Sequence, residues 1–79
     1  MDPKDLILII ARELVDHQEQ VSVREIESGN TVIYELIVSK GDIGKVIGKH
    51  GRTAQAIRTI LRGVVGGKTQ KLPLLEIID

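Results

Sequence analysis

The sequence contains no cysteine, no phenylalanine and no tryptophan, and it has a single tyrosine, Tyr34. Without cysteine, neither a disulfide framework nor a thiolate metal site can form. The two histidines, His17 and His50, are too few and too far apart in the sequence to hold zinc by themselves. Aromatic stacking contributes about 1–3 kcal/mol per base in nonspecific single-strand binders, so tight binding of that kind is not expected. We predict a protein without a metal or other cofactor, in which Tyr34 belongs to the core of a sheet.

Long apolar runs and a basic leader are also missing. The apolar run at residues 6–11 is far shorter than the roughly 20 residues of a membrane-spanning helix. The first five residues are acidic rather than basic in balance, which is untypical of a secretory signal peptide. We therefore expect a cytoplasmic protein that does not enter a membrane.

The length of 79 residues is enough for one compact domain and too short for two cores, so we predict a single domain over residues 1–79. A chain of this size buries only about 60% of the surface that its unfolded form exposes. Its stability is therefore marginal, and a partner subunit that buries further apolar surface would raise it. This predicts a dimer.

The charges are separated along the chain, although 11 basic and 11 acidic residues balance overall. Residues 1–39 carry three cations against eight anions. Residues 40–71 carry eight lysines and arginines against one acidic residue, Asp42. A neutral protein with one strongly basic segment can attract phosphates on one face only. A solvated helix face is the simpler explanation of such a run, but here the cations surround a pair of glycines.

The N-terminal half predicts a helix followed by a β-hairpin. Asp2 can cap a helix that has Pro3 at its first position. Apolar residues then recur at helical spacing as far as about residue 16, at Ile7, Ile10, Ala11 and Leu14. Residues 21–27 and 31–39 are rich in β-branched side chains and flank a turn signal at residues 28–30.

The C-terminal half predicts two helices around a glycine-containing loop, and then a strand. Asp42 can cap a short helix at residues 43–47, which Gly48 ends. A longer helix starts near Arg52 and ends at the paired glycines Gly66 and Gly67, and residues 72–78 form the last strand. The apolar stripe of the longer helix consists of Ala54, Ile57, Leu61 and Val64.

The loop between these helices is a four-residue Gly-x-x-Gly motif made of Gly48, Lys49, His50 and Gly51. A helix C-cap and a turn explain the two glycines but not their charged neighbours. Glycines leave room for a sugar-phosphate backbone to come close, and the N-terminus of the following helix favours anions. Lys49 and His50 add a cation and a potential cation. The motif therefore predicts a phosphate-binding loop.

The stretch VIGKHGRTAQAI at residues 46–57 resembles the signature of the KH domain family, V-I-G-x-x-G-x-x-[IA]-x-x-I. The order of elements is similar to the prokaryotic type II KH arrangement of small stand-alone bacterial proteins, and it covers essentially the whole chain. The resemblance implies an α+β fold, a three-stranded mixed sheet with three helices packed on one face. It also implies a groove that grips about four nucleotides of single-stranded RNA.

The resemblance implies roles for individual residues as well. Residues 48–51 meet the RNA backbone, while Lys45 and Arg52, on either side of them, reach adjacent phosphates. Bases lie on an apolar floor, opposite the second or third strand, formed by Ile43, Val46, Ile47 and Ala54. Plain core packing is an equally good interpretation for Ile43.

The sequence gives no support to catalysis. The string GVVGGKT at residues 63–69 is the nearest to a P-loop, but it lacks the first glycine at the required spacing and follows a helix rather than a strand. Neither a Ser/His/Asp arrangement nor a working pair of carboxylates can be recognised, and His17 lies in a polar stretch typical of an exposed helix end. We expect a protein that is not an enzyme and has no small-molecule substrate.

The expected partner is single-stranded RNA, and the family resemblance implies a second KH subunit, either the same chain or the larger, multidomain KH protein KhpB. One domain with so few aromatic rings binds weakly and gains avidity from a second. An RNA chaperone or post-transcriptional regulator fits this chemistry. The alternative is a KH fold that serves as a dimerisation or assembly surface without RNA contact. An acidic residue at either middle position of the loop would favour that alternative, whereas this chain has Lys49 and His50.

Overall fold

A computed structural model describes residues 1–78, and Asp79, the last residue of the predicted domain, lies outside this range. Within it, three α-helices pack on one face of a three-stranded sheet. In chain order, the elements are α1 (Pro3–Leu14), β1 (Ser22–Ser28), β2 (Thr31–Ile37), α2 (Ile43–Ile47), α3 (Arg52–Gly66) and β3 (Leu72–Ile78). The predicted α+β fold and the predicted order of elements are confirmed.

The sheet has the strand order β1-β2-β3, so β2 lies in the centre. β1 and β2 pair antiparallel through a tight turn in which Gly29 has a φ of 57°. β2 and β3 pair in parallel, which requires a crossover connection, and α2 and α3 supply it. The mixed sheet implied by the family resemblance is confirmed.

The core lies between the helices and the inner face of the sheet. Side chains of β2 alternate, so that Val32, Tyr34 and Leu36 are buried while the residues between them face the other side. Tyr34 therefore has its predicted place in the core. The helices contribute the buried residues Ile7, Ala11, Val46, Ala54, Ile57, Leu61 and Val65.

Two helical positions differ from the prediction. Leu14 is exposed, and Val15, directly after α1, is buried in its place. In α3, Val65 is buried, whereas Val64 is only partly so. At both positions the buried residue follows the previous buried residue, Ala11 or Leu61, by four positions. The prediction had a spacing of three. A repeat of 3.6 residues per turn permits either spacing, and packing against the sheet decides between them.

The connection between α2 and α3 has unusual backbone angles. Gly48 has φ 78° and ψ 171°, and a Cβ atom there would collide with Thr53, lying only 2.6 Å from the Thr53 Cβ. Gly51 has φ 73° but open space around it. His50 has φ 57°, the only positive φ of a residue other than glycine in the described chain. Glycine is thus required at Gly48 by both angle and space, and at Gly51 by angle alone.

Asp42 joins three parts of the chain. The prediction that it caps α2 is wrong, because its side chain makes no capping hydrogen bond to that helix. The carboxylate is 1% exposed and accepts hydrogen bonds from the His17 backbone N–H (3.0 Å) and the Ser39 hydroxyl (2.9 Å). The Lys45 ammonium lies 3.1 Å and the His17 Nδ1 atom 3.0 Å from carboxylate oxygens. These contacts tie the segment after α1 and the end of β2 to α2.

Asp42 stays ionised although it is buried. Burial opposes ionisation, but hydrogen bonds from the His17 backbone and ring, from Lys45 and from Ser39 outweigh it and hold the pKa of this carboxyl well below its usual range. The carboxylate therefore loses its proton more readily in the folded chain than in the unfolded chain. Its ionisation contributes to the free energy of unfolding.

Replacing each of three glycines near the loop with alanine should change the free energy of unfolding by a different amount. Gly44→Ala, within α2 and with open space around it, should raise the free energy of unfolding by up to about 1 kcal/mol. Gly51→Ala should lower it by about 1–2 kcal/mol, the cost of a left-handed conformation. Gly48→Ala should lower it most, since the collision with Thr53 adds to the same strain. Chemical denaturation of the four proteins measures this order. Equal losses at Gly48 and Gly51 would contradict the close approach to Thr53.

The stability should depend on pH in the acid range because of Asp42. Unfolded aspartate titrates near pH 3.9 and folded Asp42 titrates lower, so the stabilisation is complete above about pH 5 and is lost progressively as the pH falls below about 4. Asp42→Asn should be less stable at neutral pH and should lose less stability between about pH 5 and pH 2. Thermal unfolding followed by circular dichroism measures both effects. Glu13→Gln, which removes an exposed carboxylate, is the control and should keep the wild-type profile. Parallel acid profiles for Asp42→Asn and wild type would refute the role of Asp42.

Candidate nucleic-acid interface

The loop presents two basic side chains to solvent at the start of α3. Lys49 and His50 are both exposed, and neither side chain makes an ion pair among residues 1–78. The N-cap residue of α3, a helix of 15 residues, is Gly51, which makes no side-chain capping hydrogen bond. Its first N–H groups and the positive end of its dipole therefore lie beside Lys49 and His50. The backbone and the side chains together make this part of the surface favourable for an anion.

The two cations that flank the loop are in different situations. Arg52 is exposed and has no acidic partner in the described part of the chain. The Lys45 ammonium lies 2.8 Å from Asp16 and 3.1 Å from Asp42, and these hydrogen bonds raise the pKa of Lys45. Lys45 was predicted to reach a phosphate, but here it is already neutralised by two carboxylates. Lys49 in the loop and Arg52 beside it therefore have no carboxylate partner among residues 1–78.

The four residues predicted as an apolar floor are at different depths. Val46 is fully buried and Ala54 nearly so, so neither presents its side chain to a ligand in this structure. Ile43 is partly buried and packs against the core, while Ile47 is 37% exposed. Of these four side chains, only those of Ile43 and Ile47 therefore reach the surface.

The strand nearest to this surface is β3. α2 packs beside β3, and β3 is an edge strand, whereas β2 lies in the centre of the sheet. The Leu72 N–H donates to the Asn30 carbonyl at 2.7 Å, so the backbone groups of alternate residues from Leu72 onward point toward β2. The backbone groups of Pro73 and Leu75 point to the free edge. Of the two strands that the sequence left open as the opposite wall, β3 is the one beside α2.

The remaining cations of the basic segment have mixed surroundings. The Lys71 ammonium forms an ion pair with Glu27, and that of Lys68 donates to the Met1 carbonyl at 2.6 Å. Arg58 Nη2 lies 3.5 Å from the Leu75 carbonyl oxygen. Arg62 is exposed on α3 and makes no ion pair within residues 1–78. The unpaired positive charge of the segment thus extends beyond the loop along α3.

The sequence pattern did not predict the contacts that the Asp42 side chain makes. Its partner His17 was interpreted only as an exposed helix end, although its ring and its backbone both contact the buried carboxylate. The partners stand 25 residues apart, and no spacing rule for a helix or a hairpin connects positions so distant. The one available signal was Asp42 itself, the single acidic residue among eight cations.

Two other classes of site are absent from the described residues. No three His, Asp or Glu side chains of residues 1–78 come together in a group that could hold a metal ion. Within the same range, every helix is too short or too polar to cross a bilayer.

Comparison with known proteins identifies the family. The family model described as "KhpA/KhpB, KH domain" matches residues 4–77. A protein named RNA-binding protein KhpA from Chlamydia muridarum is 49% identical over 76 residues, which cover 96% of this chain and 96% of that protein. Proteins of the same name from Aquifex aeolicus and Listeria monocytogenes are also 49% identical, over 96% of this chain and over 95% and 99% of their own lengths.

The search of solved structures finds no match. The match to the family model nevertheless covers the Gly-x-x-Gly loop, the helices around it, β1, β2 and all but the last residue of β3. The chain therefore belongs to the KhpA/KhpB family of KH-domain proteins.

Proposed function

We propose that the protein binds single-stranded RNA through residues 48–51, the loop between α2 and α3. The observation that carries this proposal is the exposure of Lys49 and His50, without counterions, beside the uncapped N-terminus of α3. Relatives that match over 96% of the chain are named RNA-binding proteins, which supports it. The protein acts by binding and not by catalysis, as one domain, in the cytoplasm.

The RNA backbone lies against the loop, and the bases lie toward β3. Gly51 has no Cβ atom to hold a phosphate away and has open space around it, and the N–H groups of the first turn of α3 lie beside it. Lys49 and Arg52 contact neighbouring phosphates. Ile43 and Ile47 contact the bases by their apolar surface, which gives little sequence selectivity by itself.

One domain binds weakly in this arrangement because no Phe, Trp or Tyr ring lies on the surface of the described chain to stack with a base. Avidity from a second KH subunit compensates, and the partner is another copy of the chain or a larger KH protein such as KhpB. The cellular role is that of an RNA chaperone or post-transcriptional regulator. Assembly without RNA contact is the alternative, and the exposed aliphatic side chains of the sheet support it.

Reversing the charge of the loop should abolish RNA binding. In Lys49→Asp/His50→Asp, two carboxylates repel phosphates, and the fold should persist because both side chains are exposed and aspartate tolerates a left-handed backbone. Binding of a labelled single-stranded RNA and the circular dichroism spectrum measure both properties. Arg62→Asp makes the same change of charge on α3 as Lys49→Asp does in the loop, so it is the matched control and should bind RNA nearly as well as wild type. Unchanged RNA affinity in the folded double variant would favour the assembly alternative.

The salt dependence should report two phosphate contacts. If Lys49 and Arg52 each neutralise one phosphate, the slope of log affinity against log salt should be about −1.4, and raising salt from about 50 to about 200 mM should weaken binding about sevenfold. Measurement at one fixed pH keeps the contribution of His50 the same in all the proteins compared. Lys49→Gln and Arg52→Gln should each flatten the slope by about 0.7. A wild-type slope near −2 would instead mean that Lys45 leaves its carboxylates and contacts RNA, and a slope near zero would refute phosphate contact altogether.

A further inference from the structure

A cavity of about 340 Å³ lies at the end of the core that is far from the loop. Its walls come from the start of α1, the second half of β1, the first half of β2 and the last turn of α3. The length of α3 places it roughly 20 Å from residues 48–51. Its volume is at the lower end of the range of small-molecule sites. The cavity is therefore separate from the surface proposed to bind RNA.

The side chain of Tyr34 carries a polar group from the core into this cavity. Tyr34 is 3% exposed, and it lines the cavity beside Glu25, its register neighbour on β1. The Tyr34 hydroxyl makes no hydrogen bond of ordinary geometry within residues 1–78. Buried tyrosine hydroxyls usually have a hydrogen-bond partner. This hydroxyl is therefore available to a ligand in the cavity.

Negative charge predominates around the hydroxyl. Three carboxylates and two ammonium groups line the cavity, those of Asp2, Glu25, Glu27, Lys68 and Lys71. Burial, and the nearby carboxylates of Glu25, Asp2 and Glu27, raise the pKa of Tyr34 to about 12, so the phenol is neutral at physiological pH. The last turn of α3, at the negative end of the helix dipole, forms part of the same wall. The cavity thus favours a cation over an anion.

Glu25 differs from the other charged groups of the cavity, which have partners within the chain. The ammonium groups of the two lysines contact Glu27 and a main-chain carbonyl, and Asp2 caps α1. No cationic group of residues 1–78 forms an ion pair with Glu25. The Glu25 carboxylate and the Tyr34 hydroxyl lie side by side on adjacent strands, so they are two acceptors that a ligand can reach together.

The rest of the lining indicates an organic cation rather than a metal ion. No three His, Asp or Glu side chains in the described chain form a group that could hold a metal. Pro3, Val32 and Val65 give the cavity an apolar part that suits methylene groups. An ammonium group has three N–H donors and no acceptor, so it complements two adjacent acceptors.

We propose that the cavity binds a primary ammonium on a short aliphatic chain, with its nitrogen between the Glu25 carboxylate and the Tyr34 hydroxyl. The aliphatic chain lies against Val32 and Val65. A small free amine and the lysine side chain of another protein both carry this group. The site does not depend on RNA binding, since it shares no residue with the loop or with the cations that flank it.

Titration of the isotope-labelled protein with diaminobutane, followed by NMR, tests the site. A ligand of so few atoms should bind with a dissociation constant of about 1 mM. Amide signals of Val32 and Thr69, in the cavity wall, should shift, whereas that of Lys49 should not. Butanediol has the same chain without charge and should not bind at these concentrations. Equal binding of the two compounds, or shifts confined to other surfaces, would overturn the inference.

Two variants test the two acceptors. Glu25→Gln should weaken binding of diaminobutane at least about tenfold, and Tyr34→Phe, which keeps the ring, about fivefold. Glu76→Gln is the matched control, because it removes an exposed strand carboxylate that also lacks a cationic partner among residues 1–78 but lies on the other face of the sheet. It should bind as wild type does. Circular dichroism checks that each variant is folded.

Acetyl-lysine methylamide, acetylated on its α-nitrogen so that only the side-chain amine is charged, separates the two sources of the ammonium group. Binding as tight as that of diaminobutane would identify a lysine side chain as a fitting ligand, and binding at least about tenfold weaker would restrict the cavity to small free amines. Lys49→Asp/His50→Asp should lose RNA and still bind diaminobutane, so failure of one proposal leaves the other testable. Binding of diaminobutane to Glu25→Gln as tightly as to wild type would refute the site.

Discussion

The buried carboxylate of Asp42 holds α2 in place, and with it the loop that α2 carries. α2 has only five residues, too few to be stable as a helix without tertiary support. Asp42 precedes it and is fixed by donors from the segment after α1, from Ser39 at the end of β2 and from Lys45 within α2 itself. No buried polar side-chain atom of the described chain is left without a hydrogen bond. A charge in the core is tolerated here because each of its oxygen atoms has partners.

The separation of charge along the sequence has a structural meaning that composition alone does not reveal. The acidic half builds α1 and the hairpin, and the basic segment builds α2 and α3. The halves meet where Asp16 and Asp42 neutralise Lys45. That contact neutralises one cation beside the loop and uses it to fix α2.

Local patterns in the sequence were sufficient for most of the fold. The spacing of Ile7 and Ala11, the Asp2 cap and the β-branched strands are short-range features, and each corresponds to an observed element; the Asp2 carboxylate accepts from the Lys4 N–H at 2.9 Å. The family signature was needed for the mixed sheet, since no local pattern distinguishes parallel from antiparallel pairing of β3. The role of Asp42 and the neutralisation of Lys45 could not be predicted from the sequence, because they depend on residues that only the tertiary fold brings together.

Pro73 lies in an edge strand, with its backbone nitrogen on the side away from β2. An edge strand is a template on which a strand of another chain can add, and such addition leads to aggregation or to domain swapping. Proline has no N–H to offer, so the row of donors along this edge is interrupted near its start. Farther along, Arg58 reaches toward the Leu75 carbonyl and shields an acceptor of the same edge. The protein thus keeps an edge strand beside its loop without offering a continuous ladder of hydrogen-bonding groups to misfolded neighbours.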